Sequence, residues 1–182
     1  MVEGGAVLRN RAGLTDPDEL EAFEVLSVTQ RSEEPLPDGT FDEAHFRAVH
    51  RHLFQDVYDW AGAPRTIRMF KDNSPFGYPE NFDRELVKLF GGLRERHFLQ
   101  GRDPDAFAAG AANFLGELNA IHLFREGNGR AQTAFLAMLA AEAGHPLDLA
   151  RIDPQAWMTA MVRSFYGKEA QLAAQIRVLI VD

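Results

Sequence analysis

The chain lacks cysteine entirely among its 182 residues. That absence excludes a disulfide framework and a zinc site built from thiolates. Long apolar runs are also missing. None approaches the roughly 18 residues that a membrane-spanning helix requires, so we expect no membrane segment. The first residues show neither the basic region nor the apolar core of a signal peptide, and we therefore expect a cytoplasmic location.

Positive charge is scarce as well. The 19 Lys and Arg side chains are outnumbered by 27 Asp and Glu side chains, and the net charge is −8. Direct binding to a nucleic-acid backbone requires a basic face, so this balance argues against it, although a protein partner that itself works on DNA stays possible. The length suits one domain that buries about 70% of its unfolded surface. We expect a single domain over residues 1–182.

Helix signals are plentiful in what remains. Three Asp-Pro pairs, Asp16-Pro17, Asp103-Pro104 and Asp153-Pro154, combine an N-cap with proline at the first helical position. Apolar residues at helical spacing follow each pair. Further helices are predicted from Thr40 or Asp42 to Trp60, after Pro79, from about residue 130 to near Gly144, and from Glu169 to Val181. The pattern predicts a mainly α-helical fold.

One segment departs from this helical pattern. Residues 65–70 alternate between polar and apolar side chains, residues 71–75 favour a turn, and residues 76–79 lead back to proline. This arrangement predicts a short β-hairpin over about 65–79. A surface loop is the alternative that the sequence leaves open.

The most informative run is residues 122–130, which read His-Leu-Phe-Arg-Glu-Gly-Asn-Gly-Arg between two predicted helices. Gly127 and Gly129 let a ligand approach the backbone closely. The helix that follows presents free N–H groups and its positive dipole end to an anion. Arg130, at the start of this helix, could contact phosphate through two N–H groups.

The other residues of the run add catalytic chemistry. Glu126 is a hard oxygen ligand of the kind that Mg²⁺ uses together with substrate phosphates. Asn128 could donate from its side-chain amide to a phosphoryl oxygen. His122 could take a proton from a hydroxyl near neutral pH, and Phe124 is expected to point inward as an anchor. Together these residues predict a site that holds a nucleotide pyrophosphate and activates a hydroxyl against it. Singly, each could be a turn residue or a structural side chain.

The run resembles the signature of the Fic family, HPFx[DE]GNGRxxR. It keeps seven of the signature residues, His122, Phe124, Glu126, Gly127, Asn128, Gly129 and Arg130. It departs at Leu123, where the family has proline, and at Thr133, where the family has a second arginine. Residues 8–14, 18–21, 52–62 and 164–167 also resemble the small bacterial Fic toxins called FicT.

This resemblance implies a Fic-fold helical bundle in which the hairpin is a flap beside the signature loop. The flap would align a target protein by strand addition. Its tip would be Lys71, Asp72 and Asn73, and Phe76 would be an apolar clamp. The implied reaction is transfer of AMP from ATP to a Ser, Thr or Tyr hydroxyl, with His122 as base and Glu126 holding Mg²⁺.

Regulation and donor choice are less determined. The inhibitory motif [ST]xxxE[GN] of the family has no match here, since Thr15 with Glu19 and Thr29 with Glu33 both fail at the last position. The resemblance therefore implies that a separate small antitoxin is the inhibitor. The resemblance to the family also implies that DNA gyrase or topoisomerase IV is the target. Because Thr133 replaces an arginine, three alternatives stay open: ATP used less efficiently, transfer from a donor without a γ-phosphate or by phosphorylation, and a non-catalytic protein that binds nucleotide or antitoxin.

Overall fold

The structure is a computed structural model that describes residues 7–71 and 74–181. The described residues form helices α1 (Pro17–Ser32), α2 (Glu43–Phe54), α3 (Phe82–Glu95), α4 (Pro104–Ile121), α5 (Asn128–Glu142), α6 (Pro154–Phe165) and α7 (Ala170–Leu179). Two short strands, β1 (Phe70–Lys71) and β2 (Ser74–Pro75), pair antiparallel. The predicted mainly α-helical fold with a short hairpin is confirmed. None of the described helices combines the length and apolar character needed to cross a membrane.

The backbone forms two compact units. One comprises residues 1–40 and 44–63, and its described part holds α1 and most of α2. The other comprises residues 41–43 and 64–182, and its described part holds α3 to α7 and the hairpin. The whole signature loop belongs to the second unit, so that unit is the one that builds the site. A single domain over the entire chain stays a prediction.

The three predicted Asp-Pro helix starts are confirmed. Asp16 accepts hydrogen bonds from two backbone N–H groups of the first turn of α1, both at 3.0 Å. Asp103 caps α4 through the N–H of Ala106 at 2.8 Å, and Asp153 caps α6 through the N–H of Ala156 at 2.9 Å. Each cap stabilises its helix by about 1 kcal/mol, because it satisfies an N–H group that the helix cannot.

The predicted end of α2 is wrong. We expected this helix to continue to Trp60, but it ends at Phe54. Beyond that point Tyr58 stacks on Trp60 with ring centroids 4.3 Å apart, and the carbonyl of Val57 accepts a hydrogen bond from the N–H of Arg11 at 2.8 Å. Packing within this unit therefore outweighs the local helical periodicity.

Helix α4 is central to the second unit, where it contacts α3, α5, α6 and α7. Three aromatic rings fix its relation to two of them: Phe114 of α4 lies 5.7 Å from Phe90 of α3 and 6.1 Å from Phe135 of α5, measured between centroids. Such pairs each contribute about 0.5–1.5 kcal/mol beyond burial. Because α4 ends and α5 begins at the signature loop, this core sets the loop's position.

The hairpin is shorter than predicted. Its strands pair only Phe70 with Pro75 and Lys71 with Ser74, and one further hydrogen bond joins the N–H of Phe76 to the carbonyl of Met69 at 3.0 Å. Residues 65–69 and 76–79 do not extend the ladder. Instead, the N–H of Gly77 donates to the carbonyl of Ala120 in α4 at 2.8 Å, so the base of the hairpin is attached to that helix. Asp72 and Asn73 lie outside the described residues.

Candidate active site

His122 terminates α4 in a left-handed backbone conformation, with φ 51° and ψ 61°. Its N–H still donates to the carbonyl of Leu118 at 3.1 Å, which closes the last helical turn. A residue with a side chain adopts this conformation at a cost of about 1–3 kcal/mol, so surrounding contacts must hold it. The chain therefore turns sharply away from α4 at His122, the predicted general base.

The imidazole of His122 is packed on one side by Phe76. The two rings stack with centroids 3.9 Å apart and planes inclined by 17°. The side chains of Leu123 and Phe124, which follow, are fully buried, and this confirms Phe124 as an inward anchor. The Nδ1 atom of His122 is buried and makes no hydrogen bond of ordinary geometry with any residue in the described ranges.

Burial lowers the pKa of His122 from 6.5 to about 4, and the positive charge of Arg65 adds to this effect. The carbonyl of Asn119 opposes both, and the charge of Lys71 lowers the pKa slightly further. Desolvation disfavours the charged form of an imidazole, as does a neighbouring cation. His122 is consequently neutral near pH 7, which is the state in which an imidazole can accept a proton.

Asn128 has a different place from the one expected. Its side chain is only 3% exposed and braces the loop from inside. Its Oδ1 accepts from the N–H of Phe124 at 2.9 Å, and its Nδ2 donates to the carbonyl of the same residue at 2.8 Å. The side-chain amide is therefore committed to the loop, and any contact with phosphate falls to the backbone N–H. The sequence did not reveal this because both partners are backbone atoms.

The start of α5 presents backbone N–H groups where the sequence predicts an anion site. Gly127 precedes the helix with φ 77°, a conformation that favours glycine. The first N–H groups of any helix lack partners within it, and here they belong to Asn128, Gly129 and Arg130. A Cβ atom added at Gly129 would meet nothing within 4 Å, so the approach to these amides is open.

Glu126 and Arg130 form the outer edge of this site. Oε1 of Glu126 accepts from the N–H of Gly127 at 2.8 Å and lies 3.6 Å from Nη2 of Arg130. The side chains are 48% and 38% exposed, so a ligand can reach both. Among the described residues no group of three His, Cys, Asp or Glu side chains could hold a metal ion. A Mg²⁺ ion at Glu126 would therefore need phosphate and water oxygens, which is a common arrangement for this ion.

Thr133 supplies no cation where the family signature has its second arginine. It lies one helical turn after Gly129 and on the same face of α5. Its hydroxyl donates to the carbonyl of Gly129 at 3.0 Å. The hydroxyl is thus bonded to its own helix.

The flap residues also differ in part from expectation. Phe76 is 8% exposed and packs between His122 and Phe165, whose ring centroid lies 5.3 Å away. It supports the imidazole, and too little of it is exposed to clamp a target. Lys71 lies at the end of β1, close enough for its charge to act on His122. The predicted tip residues Asp72 and Asn73 are outside the described residues.

Arg65 is a residue of the site that sequence reasoning missed. It is 4% exposed, and its Nε donates to the carbonyl of His122 at 2.7 Å. Its sequence neighbours predicted only a strand, and its partners at the end of α4, Ile121 and His122, are more than 50 positions away. Only the folded chain shows the connection between Arg65 and the predicted base.

The geometry described above is that of one class of protein, and the chain belongs to it: the sequence model of the Fic/DOC family matches residues 40–140. The chain is 52% identical over 178 residues to "Probable protein adenylyltransferase y4lH" of Sinorhizobium fredii, with 97% of this chain and 93% of that protein covered. It is 37% identical over 174 residues to "Protein adenylyltransferase VbhT" of Bartonella schoenbuchensis, covering 94% of this chain but only 36% of that protein.

Solved structures confirm the predicted Fic fold. BepC of Bartonella tribocorum with bound AMPPNP superposes with a TM-score of 0.89 at 26% identity, covering 100% of this chain and 95% of that one. The N-terminal Fic domain of a Bep effector of Bartonella quintana with bound ADP gives the same TM-score and identity, covering 100% and 94%. The predicted enzyme class, a nucleotidyltransferase, is confirmed by the names of the curated relatives.

Proposed function

We propose that this chain transfers AMP from ATP to a Ser, Thr or Tyr hydroxyl of a target protein. The observation that carries the proposal is the state of His122: it is neutral near pH 7, buried against Phe76, and in the same loop as the anion site at the start of α5. A neutral base and a phosphate site in one loop are what transfer to a hydroxyl requires. The adenylyltransferase names of the relatives support the same activity.

In the proposed reaction, His122 accepts the proton of the target hydroxyl. The hydroxyl oxygen forms a bond to the α-phosphorus of ATP while the bond from that phosphorus to the bridging oxygen breaks, and pyrophosphate leaves. The amides at the start of α5 and the guanidinium of Arg130 stabilise the negative charge that shifts onto the phosphate oxygens. The chain supplies these donors already oriented, because Asn128 holds the loop in place.

Glu126 is the residue that would hold Mg²⁺ against the phosphates. Its carboxylate is the hard oxygen ligand that this ion prefers, and its exposure leaves room for phosphate oxygens in the same coordination shell. When bound, Mg²⁺ would neutralise charge on the phosphates. We expect a chelator to abolish transfer and added Mg²⁺ to restore it.

Thr133 favours one second candidate, which is transfer from a donor that lacks a γ-phosphate. The hydroxyl of Thr133 is bonded to Gly129 and offers no positive charge to distal phosphates. A dinucleotide or a molecule like CDP-choline would not require that charge. Transfer of label from α-labelled but not γ-labelled ATP would support AMP transfer, label from γ-labelled ATP would indicate phosphorylation, and modification only by CDP-choline or a dinucleotide would support the second candidate.

The target and the regulator follow from family resemblance. We propose a cytoplasmic toxin that modifies a type II topoisomerase, DNA gyrase or topoisomerase IV. The absence of an [ST]xxxE[GN] match in the sequence supports a separate small antitoxin as inhibitor. The acidic net charge argues against direct contact with nucleic acid, so the proposed contact is with the topoisomerase itself.

Intact-protein mass spectrometry tests the proposal most directly. The chain and its His122→Ala variant would be incubated with Mg²⁺ and ATP, in the presence of purified gyrase or topoisomerase IV. A gain of one AMP on a topoisomerase subunit that is lost with the variant is expected. If neither ATP nor the alternative donors produce a His122-dependent addition on a topoisomerase subunit or on the chain itself, the proposed transfer to a topoisomerase fails.

A further inference from the structure

We propose that Arg65 is a positioning residue for the transfer reaction, because one guanidinium group fixes the base of the flap and the carbonyl of His122 together. This inference rests on the proposed function. It concerns how the flap and His122 keep their relative positions, which neither the signature loop nor the flap can do alone.

The contacts of Arg65 join three parts of the site. Nε donates to the carbonyl of His122 at 2.7 Å, and Nη2 donates to the carbonyls of Ile121 at 3.2 Å and of Gly77 at 2.6 Å. Nη1 donates to the carbonyl of Ile67. Ile67 and Gly77 lie on either side of the hairpin, so the guanidinium joins both limbs of the flap to the end of α4.

The same residue also contributes its backbone. The N–H of Arg65 donates to the carbonyl of Leu123 at 2.9 Å, directly after the predicted base. Arg65 therefore bonds to three consecutive carbonyls, those of Ile121, His122 and Leu123. These bonds hold the chain where it turns out of the helix, and they account for the left-handed conformation of His122.

The charge of Arg65 is buried without a carboxylate among the described residues that pairs with it. Burial lowers its pKa, and the charge of Arg125 lowers it further. An unpaired buried charge is costly, and here the carbonyls at the negative end of the α4 dipole compensate for it. The guanidinium fixes four carbonyls, whereas an apolar side chain would fill the same space without fixing any of them.

The flap is attached to α4 closely enough for this coupling. A Cβ atom added at Gly77 would come within 3.1 Å of both Cα and O of Ile121, so backbone lies directly on backbone there. Phe76, the preceding residue, stacks on the imidazole of His122. Movement of Gly77 would therefore move the ring that supports the base, and Arg65 limits that movement.

The test compares Arg65→Lys with Arg96→Lys. Arg96 offers a matched control, because its Nε donates to the carbonyl of Gly92 and its Nη1 donates to Oδ1 of Asn113, and neither partner belongs to the site. Lysine keeps the charge but cannot span several carbonyls. We expect Arg65→Lys to lower kcat about 100-fold, the size of effect that a displacement of about 1 Å produces, with ATP affinity unchanged within about twofold. Arg96→Lys should leave both kcat and ATP affinity unchanged.

Two further measurements separate positioning from folding and from the proposed function. Guanidinium ion should restore part of the activity of Arg65→Ala, because it can refill the site. Amide hydrogen exchange at Gly77 and His122 should accelerate in Arg65→Lys but not in Arg96→Lys, and it can be measured whether or not transfer occurs. If the wild-type chain transfers nothing but this exchange changes, the proposed function fails and the coupling stands. Unchanged kcat, or unchanged exchange at both amides, overturns the coupling.

Discussion

The end of α4 and the start of α5 meet in one loop but differ in construction. At the end of α4, His122 is held by stacking on Phe76 and by hydrogen bonds from Arg65 to the surrounding carbonyls. At the start of α5, Glu126 and Arg130 are exposed and loosely paired. The half that would hold the base is packed within the chain, whereas the side chains of the half that would hold phosphate are exposed to solvent.

This difference suits the chemistry that each half would perform. A base must be neutral and correctly oriented before the substrate arrives, and burial achieves both. A phosphate site must exchange its contacts with water for contacts with substrate, and exposed groups at a helix start do this readily. Mutations should therefore affect the rate at the first half and affinity at the second.

The largest expected effect is at the base. His122→Asn keeps the left-handed backbone, which asparagine tolerates, but removes a group that can accept a proton at neutral pH. We expect kcat for AMP transfer to fall by about 10²–10⁴-fold, with ATP binding unchanged, because the anion site belongs to α5. Steady-state kinetics and calorimetric titration with ATP measure the two quantities. Loss of ATP binding in this variant would show that the two halves are not separable.

The buried imidazole also predicts how stability depends on pH. Its folded pKa of about 4 lies below the ordinary 6.5, so the unfolded chain binds more protons between these values. The contribution of His122 is therefore fully present above about pH 6.5 and is lost as the pH falls toward 4, by at most about 3 kcal/mol. The free energy of unfolding of the wild type and of His122→Asn, measured from pH 7 to 4.5, should converge as the pH falls. His145→Asn controls for loss of an imidazole. Parallel curves would contradict the low pKa.

The sequence predicts best where structure is local. The Asp-Pro pairs locate three helix starts correctly, because an N-cap and its N–H partners are at most three residues apart. The loop at 122–130 is recognisable for the same reason, since its residues are consecutive. Where the partner is distant, the predictions fail. The end of α2 depends on contacts beyond the helix, and the contacts of Arg65 reach 57 positions along the chain.

Asn128 shows a second limit on prediction. Its place in the loop was predicted correctly, but its role was not, because an amide can serve a ligand or the backbone equally well. Burial makes the choice: the side chain is only 3% exposed, and both of its amide atoms bond to the backbone of Phe124. Residue type and spacing locate the candidate site, but the packing around each side chain decides what it does there.

Asn128→Ala tests the connection between the two halves. The substitution removes both hydrogen bonds between the buried Asn128 amide and the backbone of Phe124, which costs about 1–3 kcal/mol. We expect the thermal midpoint to fall by several degrees, at about 2–4 °C per kcal/mol for a chain of this size. Asn113→Ala, which removes an amide bonded to the more exposed Glu169, should lower it less. An unchanged midpoint would contradict the bracing role and favour the sequence prediction that the Asn128 amide donates to phosphate.

The smallest effect is expected at the exposed half. Thr133→Arg places a guanidinium on the face of α5 that carries Gly129, where it can reach distal phosphates. We expect ATP affinity to rise about tenfold and AMP affinity to stay unchanged, because a charge-assisted contact contributes about 1.5–3 kcal/mol before the side chain's loss of freedom is subtracted. Thr133→Val is the control: it removes a hydroxyl that donates to the carbonyl of Gly129 in its own helix, so ATP affinity should not change. If Thr133→Val weakens ATP binding while Thr133→Arg does not strengthen it, the threonine hydroxyl itself binds the donor, and the exposed half is already complete without a second arginine.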